Sequence, residues 1–303
     1  MDRFEAMRVF CSVIEAGSFA SAAERLGVST TAVSRHVAQL EAFLNVRLIH
    51  RTTRRMRPTE EGFAYFERCT QLLADLEEAE AGVAGHARHP RGRLRLTAPI
   101  ALAVLRLAPA FAEFSRRHPQ LTLDLVLSDS LADFAEEGLD MAIRVGRVGS
   151  ENLVARRVGQ TTLLVAASPG YLARAGTPAV PADLARHSCL IYSHASGGQQ
   201  AEFTGNSGEV VSVRLGGPLH SNNGMLLSEM AVADAGIVVA PCFILQTLIA
   251  HSRLVRVLPE WHLQTLPIQV VYPTRRHLSA KVQAMAGFLA EWFATSAGVP
   301  RDA

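Results

Sequence analysis

Lysine is almost missing: Lys281 is the one lysine, and every other fixed positive side chain is arginine. That bias is compositional and carries no functional reading. Cysteine is sparse too. Cys11, Cys69, Cys189 and Cys242 lie far apart and form no CxxC pair, which argues against a metal cluster. A chain of 303 residues also has no need of a disulfide framework. No apolar run is long enough to span a membrane. The opening MDRFEAMRVF lacks the charged-then-apolar pattern of an export signal, so a soluble cytoplasmic protein is expected. Enzymatic signatures are missing as well: there is no GxSxG, HExxH, GxGxxG or GxxxxGK[ST]. The eleven histidines show no ligand spacing. No enzyme, no cofactor and no metal site is expected. The net charge of +2 does not by itself announce a nucleic-acid binder.

What is present is apolar material for a sizeable core. The composition is 49% hydrophobic and 19% charged, the balance of a globular chain. A length prior of roughly 150 residues per domain suggests two or three domains. Positive charge is concentrated locally: residues 47–57, RLIHRTTRRMR, hold five arginines and no acid.

Helix punctuation is clear in the first sixty residues. Phe10, Val13 and Ile14 fall at helical spacing before Gly17. Ser18 can cap a short helix over roughly 18–26, with Phe19, Ala22, Ala23 and Leu26 inward, and Gly27 stops it. Ser29 caps a third helix, STTAVSRHVAQLEAFL, with Val33, Val37, Leu40 and Leu44 on one face. The opposite face carries Thr31, Arg35, Ala38 and Gln39, small and polar with one arginine. Three helices with the turn GVST before the last suit a helix-turn-helix. Ala22 and Ala23 let helices cross closely. The arginine-rich stretch, closed by Pro58, is short enough for a β-hairpin.

A long helix is expected over about 59–87, with Phe66, Cys69, Leu73, Leu76 and Val83 in a 3–4 rhythm interrupted by Glu80. We read it as self-pairing; the alternative is packing on its own domain, and Cys69 reads as core. GHARHPRGR, 85–93, is a linker. Beyond it strands and helices alternate: RLRLTAP, a helix to Arg117, LTLDLVLS, a helix near 130–138, DMAIRVG, TLLVAAS, a helix from SPGYLARAG, HSCLIY, a hairpin arm EVVSVRL, the helix SNNGMLLSEMAVADAG, IVVAP, PIQVVYP and a terminal helix over 278–295. This βαβα rhythm predicts a mostly parallel sheet.

A helix with a small polar start fits the major groove, where recognition helices read base edges. Ser29, Thr30, Thr31 and Ser34 can exchange hydrogen bonds with bases or phosphate, and Arg35 can reach guanine or a phosphate oxygen. Arg51, Arg54, Arg55 and Arg57 would lie along the flanking backbone, giving affinity without sequence information.

The stretch MDRFEAMRVFCSVIEAGSFASAAERLGVSTTAVSRHVAQLEAFLNVRLIHRTTRRMRPTEEG resembles the winged helix-turn-helix of LysR-type transcriptional regulators. SPGYLARAGTP, DLARHSCLIY, SNNGMLL, AGIVVAPCF and VYPTRRHLSAKVQAMAGFLAEWF are similar to the effector domain of the family's CrgA-like branch. The resemblance implies an α/β chain with an all-α winged helix-turn-helix at residues 1–58 and a linker or dimerisation helix and hinge at 59–91. A two-lobed, periplasmic-binding-protein-like effector domain would follow at 92–303, with lobe I from 92–162 and 267–303 and lobe II from 163–266. It also implies operator DNA as partner, a homodimer or homotetramer on an imperfect palindrome, a small-molecule effector in the interlobe cleft, RNA polymerase as a further partner, and a cytoplasmic, nucleoid-associated bacterial protein without membrane contact.

Carried over by position, the DNA contacts are Ser29, Thr30, Thr31, Ser34, Arg35, Arg51, Thr53 and Arg54. For the effector, Thr97, Ala98, Pro99 and Ile100 sit where a strand passes into a helix whose free N–H groups suit a carboxylate. Asn222, Asn223 and Gly224 open a second helix on the same cleft, and Arg144 ends a strand where it could pair with an anion. Plain structural readings stand beside these: Thr97 and Asn222 as helix caps, Arg144 as partner of an internal acid. Two other classes compete with this reading. A solute-binding protein would match the second part alone, and an enzyme with a DNA-binding appendage would need a nucleophile–base pair or a cofactor motif.

Overall fold

The computed structural model describes residues 2–51, 56–83, 90–130, 138–146, 148, 153–194, 198–273 and 278–295. The chain divides into two compact units, Met1–Gly92 and Arg93–Ala303.

The first unit starts with α1 (Arg3–Ala16), whose first turn is held by the Asp2 carboxylate accepting from the Phe4 and Glu5 N–H groups at 2.9 and 3.3 Å. Gly17 ends it at φ 70°, a left-handed cap that glycine adopts without strain. The helix α2 (Phe19–Leu26) is capped by Ser18, which accepts from Ser21 N–H at 3.0 Å, and Gly27 closes it in the same left-handed way. The helix α3 (Thr30–Leu44) begins at Ser29, whose Oγ accepts from Ala32 N–H at 3.1 Å. Phe10, Val13, Ala22, Val33, Val37 and Leu40 are fully buried and form one core. Leu26, expected inward, is instead exposed, since the last turn of α2 runs past the core.

Strands β1 (Ile49–Arg51) and β2 (Met56–Pro58) pair antiparallel as the expected hairpin. The helix α4 (Glu60–Val83) follows. Its row Phe66, Cys69, Leu73, Leu76 and Val83 is expected as a self-pairing seam. Within that row, Cys69 and Leu73 are buried in the core of α1–α3, with Phe66 packed at its edge. The three-helix unit alone leaves its apolar side open, and this part of α4 covers it. The expected helical residues 84–87 lie outside the described residues.

The second unit is built on one mixed sheet. Its strands are β3 (Gly92–Ala98), β4 (Leu121–Leu127), β5 (Met141–Val145), β6 (Leu153–Ala167), β7 (Cys189–Tyr192), β10 (His220–Ser221), β11 (Ile237–Pro241), β12 (Val255–Arg256) and β14 (Thr265–Pro273). The order is β10-β7-β11-β6-β14-β5-β3-β4, with β12 on β6. A second sheet of β8 (Gln200–Gly205), β9 (Val210–Arg214) and β13 (Trp261–Leu263) covers one end.

The expectation of a mostly parallel sheet is corrected. Pairs β3–β5, β7–β10 and β7–β11 are parallel, but β6 and β14 run antiparallel to each other, and β14 to β5 and β6 to β11 are antiparallel too. The reason is the long β6, of which only the end TLLVAAS was expected as a strand. It pairs with β14 over Leu153–Thr162 and then, from Leu163, with β11. One strand thus serves both halves of the domain, and a returning neighbour must run against it. The bulge between Ile268 and Gln269 takes up the register.

Helices flank the sheet. The run from Ile100 to Arg117 is α5 (Ile100–Leu102), a π-turn at Ala103–Leu107 and α6 (Ala108–Arg117). Pro109 stands at the start of α6 and has no N–H to continue the ladder, which accounts for the wide turn before it. The others are α7 (Pro169–Ala175), α8 (Gly224–Val232), α9 (Cys242–Ala250, not foreseen) and α10 (Ala280–Ala294). The expected helix near 130–138 falls largely outside the described residues. Lys281 is 3% exposed, its ammonium 2.9 Å from the Asp140 carboxylate and donating to Arg93 O at 2.9 Å. Asp140 in turn accepts from Arg95 N–H at 2.9 Å, so the buried pair ties α10 to β3.

Candidate functional site

On α3, Ser29, Thr30, Thr31, Arg35, Ala38 and Gln39 are exposed, and Ser34 is half-buried at the edge of that face. Alanine at 38 and 42 keeps the face low. Toward its end it opens into a groove of about 430 Å³ lined by Ala38, Glu41, Ala42, Asn45, Val46 and Arg47. The hairpin follows directly. Arg51 begins its turn as the last residue of β1, while Thr53 and Arg54 lie outside the described residues. Arg47, His50 and Arg57 are exposed.

The hairpin is locked to α3 by residues that the motif reading passed over. Glu41 is 9% exposed, and one carboxylate oxygen accepts from Leu48 N–H at 2.9 Å and Ile49 N–H at 3.1 Å. From the other side, Thr59 donates its hydroxyl to Arg47 O at 2.8 Å, accepts from Gly62 N–H at 2.8 Å, and gives its own N–H to Leu48 O at 3.0 Å. Gly62 lets α4 press on this point: a Cβ there would stand 1.9 Å from Leu48 O. The segment PTEEG is thus a clamp on the base of the hairpin. The signal for Glu41 was an acid four residues after Val37, on the apolar face of α3, where an unpaired carboxylate is costly.

Of the expected effector residues, Ile100 and Asn223 meet at a residue not foreseen, Asp129, and Ala98 and Arg144 meet at its neighbour Ser128. One Asp129 carboxylate oxygen accepts from Ile100 N–H at 3.1 Å and the other from the Asn223 side-chain amide at 2.9 Å. The Asp129 backbone carbonyl lies 3.2 Å from His194 Nδ1. Ala98 O accepts from Ser128 N–H at 3.0 Å, and Arg144, 7% exposed, donates to Ser128 O at 3.0 Å. Pro99 leads from β3 into α5. Burial pushes the Tyr192 phenol up, the Asp129 charge adds to this, and Arg144 pulls it down, so Tyr192 senses both groups.

Strand register explains part of this grouping. Gln269 is opposite Arg144, and Thr97 is opposite Ala142, two residues before Arg144. Thr97, Arg144 and Gln269 therefore share one face of β3, β5 and β14, while Leu96, Ile143 and Val270 face the main core. Thr97 is fully buried and its hydroxyl has no partner among the described residues; the Gln269 side-chain oxygen is in the same position. Thr97 is therefore no helix cap. Asn222, considered as a cap, is exposed; Asn223 is the cap, accepting from Leu226 N–H at 2.9 Å. Gly224 follows, with Ile244 close above it. Hydrogen-bonding groups from four separate segments thus meet at Ser128 and Asp129.

Cys11, Cys69, Cys189 and Cys242 are buried free thiols. Among the described residues no group of three or more His, Cys, Asp or Glu could hold a metal ion, and no helix is long and apolar enough to cross a membrane.

Known proteins share both halves. The LysR-family model of the bacterial regulatory helix-turn-helix matches residues 4–63, and the LysR substrate binding domain matches residues 87–294. An HTH-type transcriptional regulator of Haemophilus influenzae is 38% identical over 287 residues, covering 94% of this chain and 99% of that protein. The HTH-type regulator CrgA of Neisseria meningitidis is 32% identical, covering 95% and 96%. The solved structure of CrgA superposes with a TM-score of 0.60 at 31% identity, over 96% of this chain and 99% of that one. The full-length structure of AphB from Vibrio cholerae, described as a virulence activator, has a TM-score of 0.59 at 25% identity, over 95% and 99%. With a DNA-binding helix-turn-helix in its first unit and an effector-binding α/β domain in its second, the chain belongs to the LysR family of transcriptional regulators.

Proposed function

We propose that this regulator binds operator DNA through the start of α3 and the hairpin wing, and that a small effector in the crevice around Ile100 and Asn223 changes that binding. The observation that carries the DNA half is the exposed face Ser29–Thr31, Arg35, Ala38 and Gln39, set beside a wing whose base is clamped by Glu41, Thr59 and Gly62. Ser29, Thr30, Thr31, Ser34 and Arg35 read base edges or adjacent phosphates; Arg51, Thr53 and Arg54 hold the backbone. The domain assignment is 1–58, 59–91 and 92–303, the last with lobes 92–162 plus 267–303 and 163–266. Copies associate as a dimer or tetramer on an imperfect palindrome in the bacterial cytoplasm, at the nucleoid, where RNA polymerase is a further partner. No covalent chemistry is part of the reading.

Effector control is differential binding. The ligand favours one arrangement of the two lobes, and DNA affinity follows by the same free energy. Thr97, Ala98, Pro99, Ile100, Arg144, Asn222, Asn223 and Gly224 surround it.

Arg35→Ala tests the DNA half. The probe is the duplex upstream of the chain's own gene, titrated by fluorescence anisotropy at several salt concentrations. Loss of one base-edge arginine contact should weaken operator binding by about ten- to a hundredfold, corresponding to about 1–3 kcal/mol, with the melting temperature unchanged. Unchanged affinity at moderate salt would remove α3 from the groove.

A further inference from the structure

The crevice that suits a carboxylate already holds one, and it belongs to the chain. Asp129 lies just past β4, in neither strand nor helix. Each of its oxygens takes one neutral N–H donor, and the two donors come from different segments: Ile100, where β3 passes into α5, and Asn223, 94 residues away from Asp129 at the start of α8. The bonds, at 3.1 and 2.9 Å, are ones that any carboxylate of the same placement could accept. Arg144 reaches the adjacent Ser128 carbonyl, so the sheet face it shares with Thr97 is the face turned toward this point. On that face Thr97 carries a fully buried hydroxyl without a partner among the described residues, a group that costs stability in the fold as it stands and that a ligand oxygen would satisfy.

We propose that the Asp129 carboxylate is a built-in counter-ligand: it holds the place that a carboxylate-bearing effector takes, and the effector acts by displacing it. This rests on reading the crevice as the effector site. The bridge Ile100–Asp129–Asn223 is intramolecular, so its donors are pre-paired at no cost of association, and a free carboxylate must compete with it. An effector succeeds by adding a contact that Asp129 does not make, at the Thr97 hydroxyl. The self-liganded and effector-bound states exclude each other at one pair of donors, which is the discrete choice an allosteric signal needs.

The test is chemical rescue in the full chain. Asp129→Ala empties the place; Asp129→Asn fills it with an amide whose NH₂ opposes that of Asn223. Asp129→Ser opens the same space and keeps a hydroxyl for Ile100 N–H, and it replaces the alanine variant if that chain does not fold. Each protein is titrated with acetate, with acetamide as the neutral isostere and chloride at matched ionic strength, and followed by thermal unfolding. The alanine and serine variants should melt lower than wild type. Acetate should raise their melting temperatures with an apparent affinity at least about tenfold above that for wild type or the asparagine variant, the worth of one charge-assisted hydrogen bond or more, while acetamide and chloride do nothing comparable. Equal acetate responses in all four proteins, or none in any, would overturn the proposal and leave the effector reading of the crevice standing. Operator binding of the alanine variant, measured with and without acetate, separates the other failure. Rescue of stability with operator affinity unmoved would overturn the effector reading itself.

Discussion

The two candidate sites of this chain are built in opposite ways. The proposed DNA-facing surface is read from one stretch, Ser29 to Arg57, with the helix start and stop written into the sequence. The proposed effector site of the second unit draws on residues around positions 97–100, 128–129, 144, 192–194, 223 and 269. No local pattern marks such a set. In the first unit, function follows the helix period; in the second, it follows strand order and the reach of a few side chains between segments. The difference teaches where motif reading is reliable: within one or two adjacent elements.

The largest expected effect sharpens that comparison at the second unit. Lys281→Met leaves the Asp140 carboxylate buried without its cation and should cost about 3–5 kcal/mol. Chemical denaturation should show the loss in the transition of residues 93–303 alone. A loss shared equally by both units would break the idea that they are independently built.

Gly62→Val is the counterpart in the first unit. Its Cβ would meet Leu48 O at 1.9 Å, so the helix or the wing must move, at a cost of about 3 kcal/mol. Operator affinity should fall together with the first unit's stability. A neutral result would show that the clamp yields easily.

Glu41→Ala removes the acceptor of two wing N–H groups and should cost about 2 kcal/mol. Here the informative readout is the ratio of operator affinity to stability. If Glu41 only fills space, Glu41→Leu would restore both; if it fixes the wing, Glu41→Leu restores stability better than affinity.

Thr97→Val should have the smallest effect on stability, within about 1 kcal/mol and toward stabilisation, because a buried hydroxyl without a partner among the described residues is exchanged for a methyl group. The same change should blunt the effector response while operator binding without effector is kept. A clear destabilisation in thermal unfolding would mean that the hydroxyl is satisfied in the folded state.

Much of the fold was legible, for identifiable reasons. Ser18, Gly17, Gly27 and Ser29 all punctuate the helices where their chemistry predicts, and Asp2 adds a cap to α1. Val33, Val37 and Leu40 mark the buried face of α3 because a helix repeats every 3.6 residues whatever it packs against. Errors came where partner choice decides. The row Phe66, Cys69, Leu73, Leu76 and Val83 has the spacing of a self-pairing seam, but spacing says only that a face is apolar, and the chain's own helices cover its first three residues. The βαβα rhythm suggested parallel strands because it records the order of elements; the antiparallel partners of β6 come from far along the chain.

Taken alone, then, the residue order decides the helix-turn-helix, the exposed small polar face of its third helix and the basic hairpin, because those depend on local periodicity and capping. Asp129 illustrates what it could not decide. In the sequence it is one acid in the run SDSLAD; in the fold it holds Ile100 and Asn223 together. That role exists only because the sheet order brings the ends of β3 and β4 next to the start of α8, and hydrogen bonds of about 3 Å are made between neighbours in space, not in sequence.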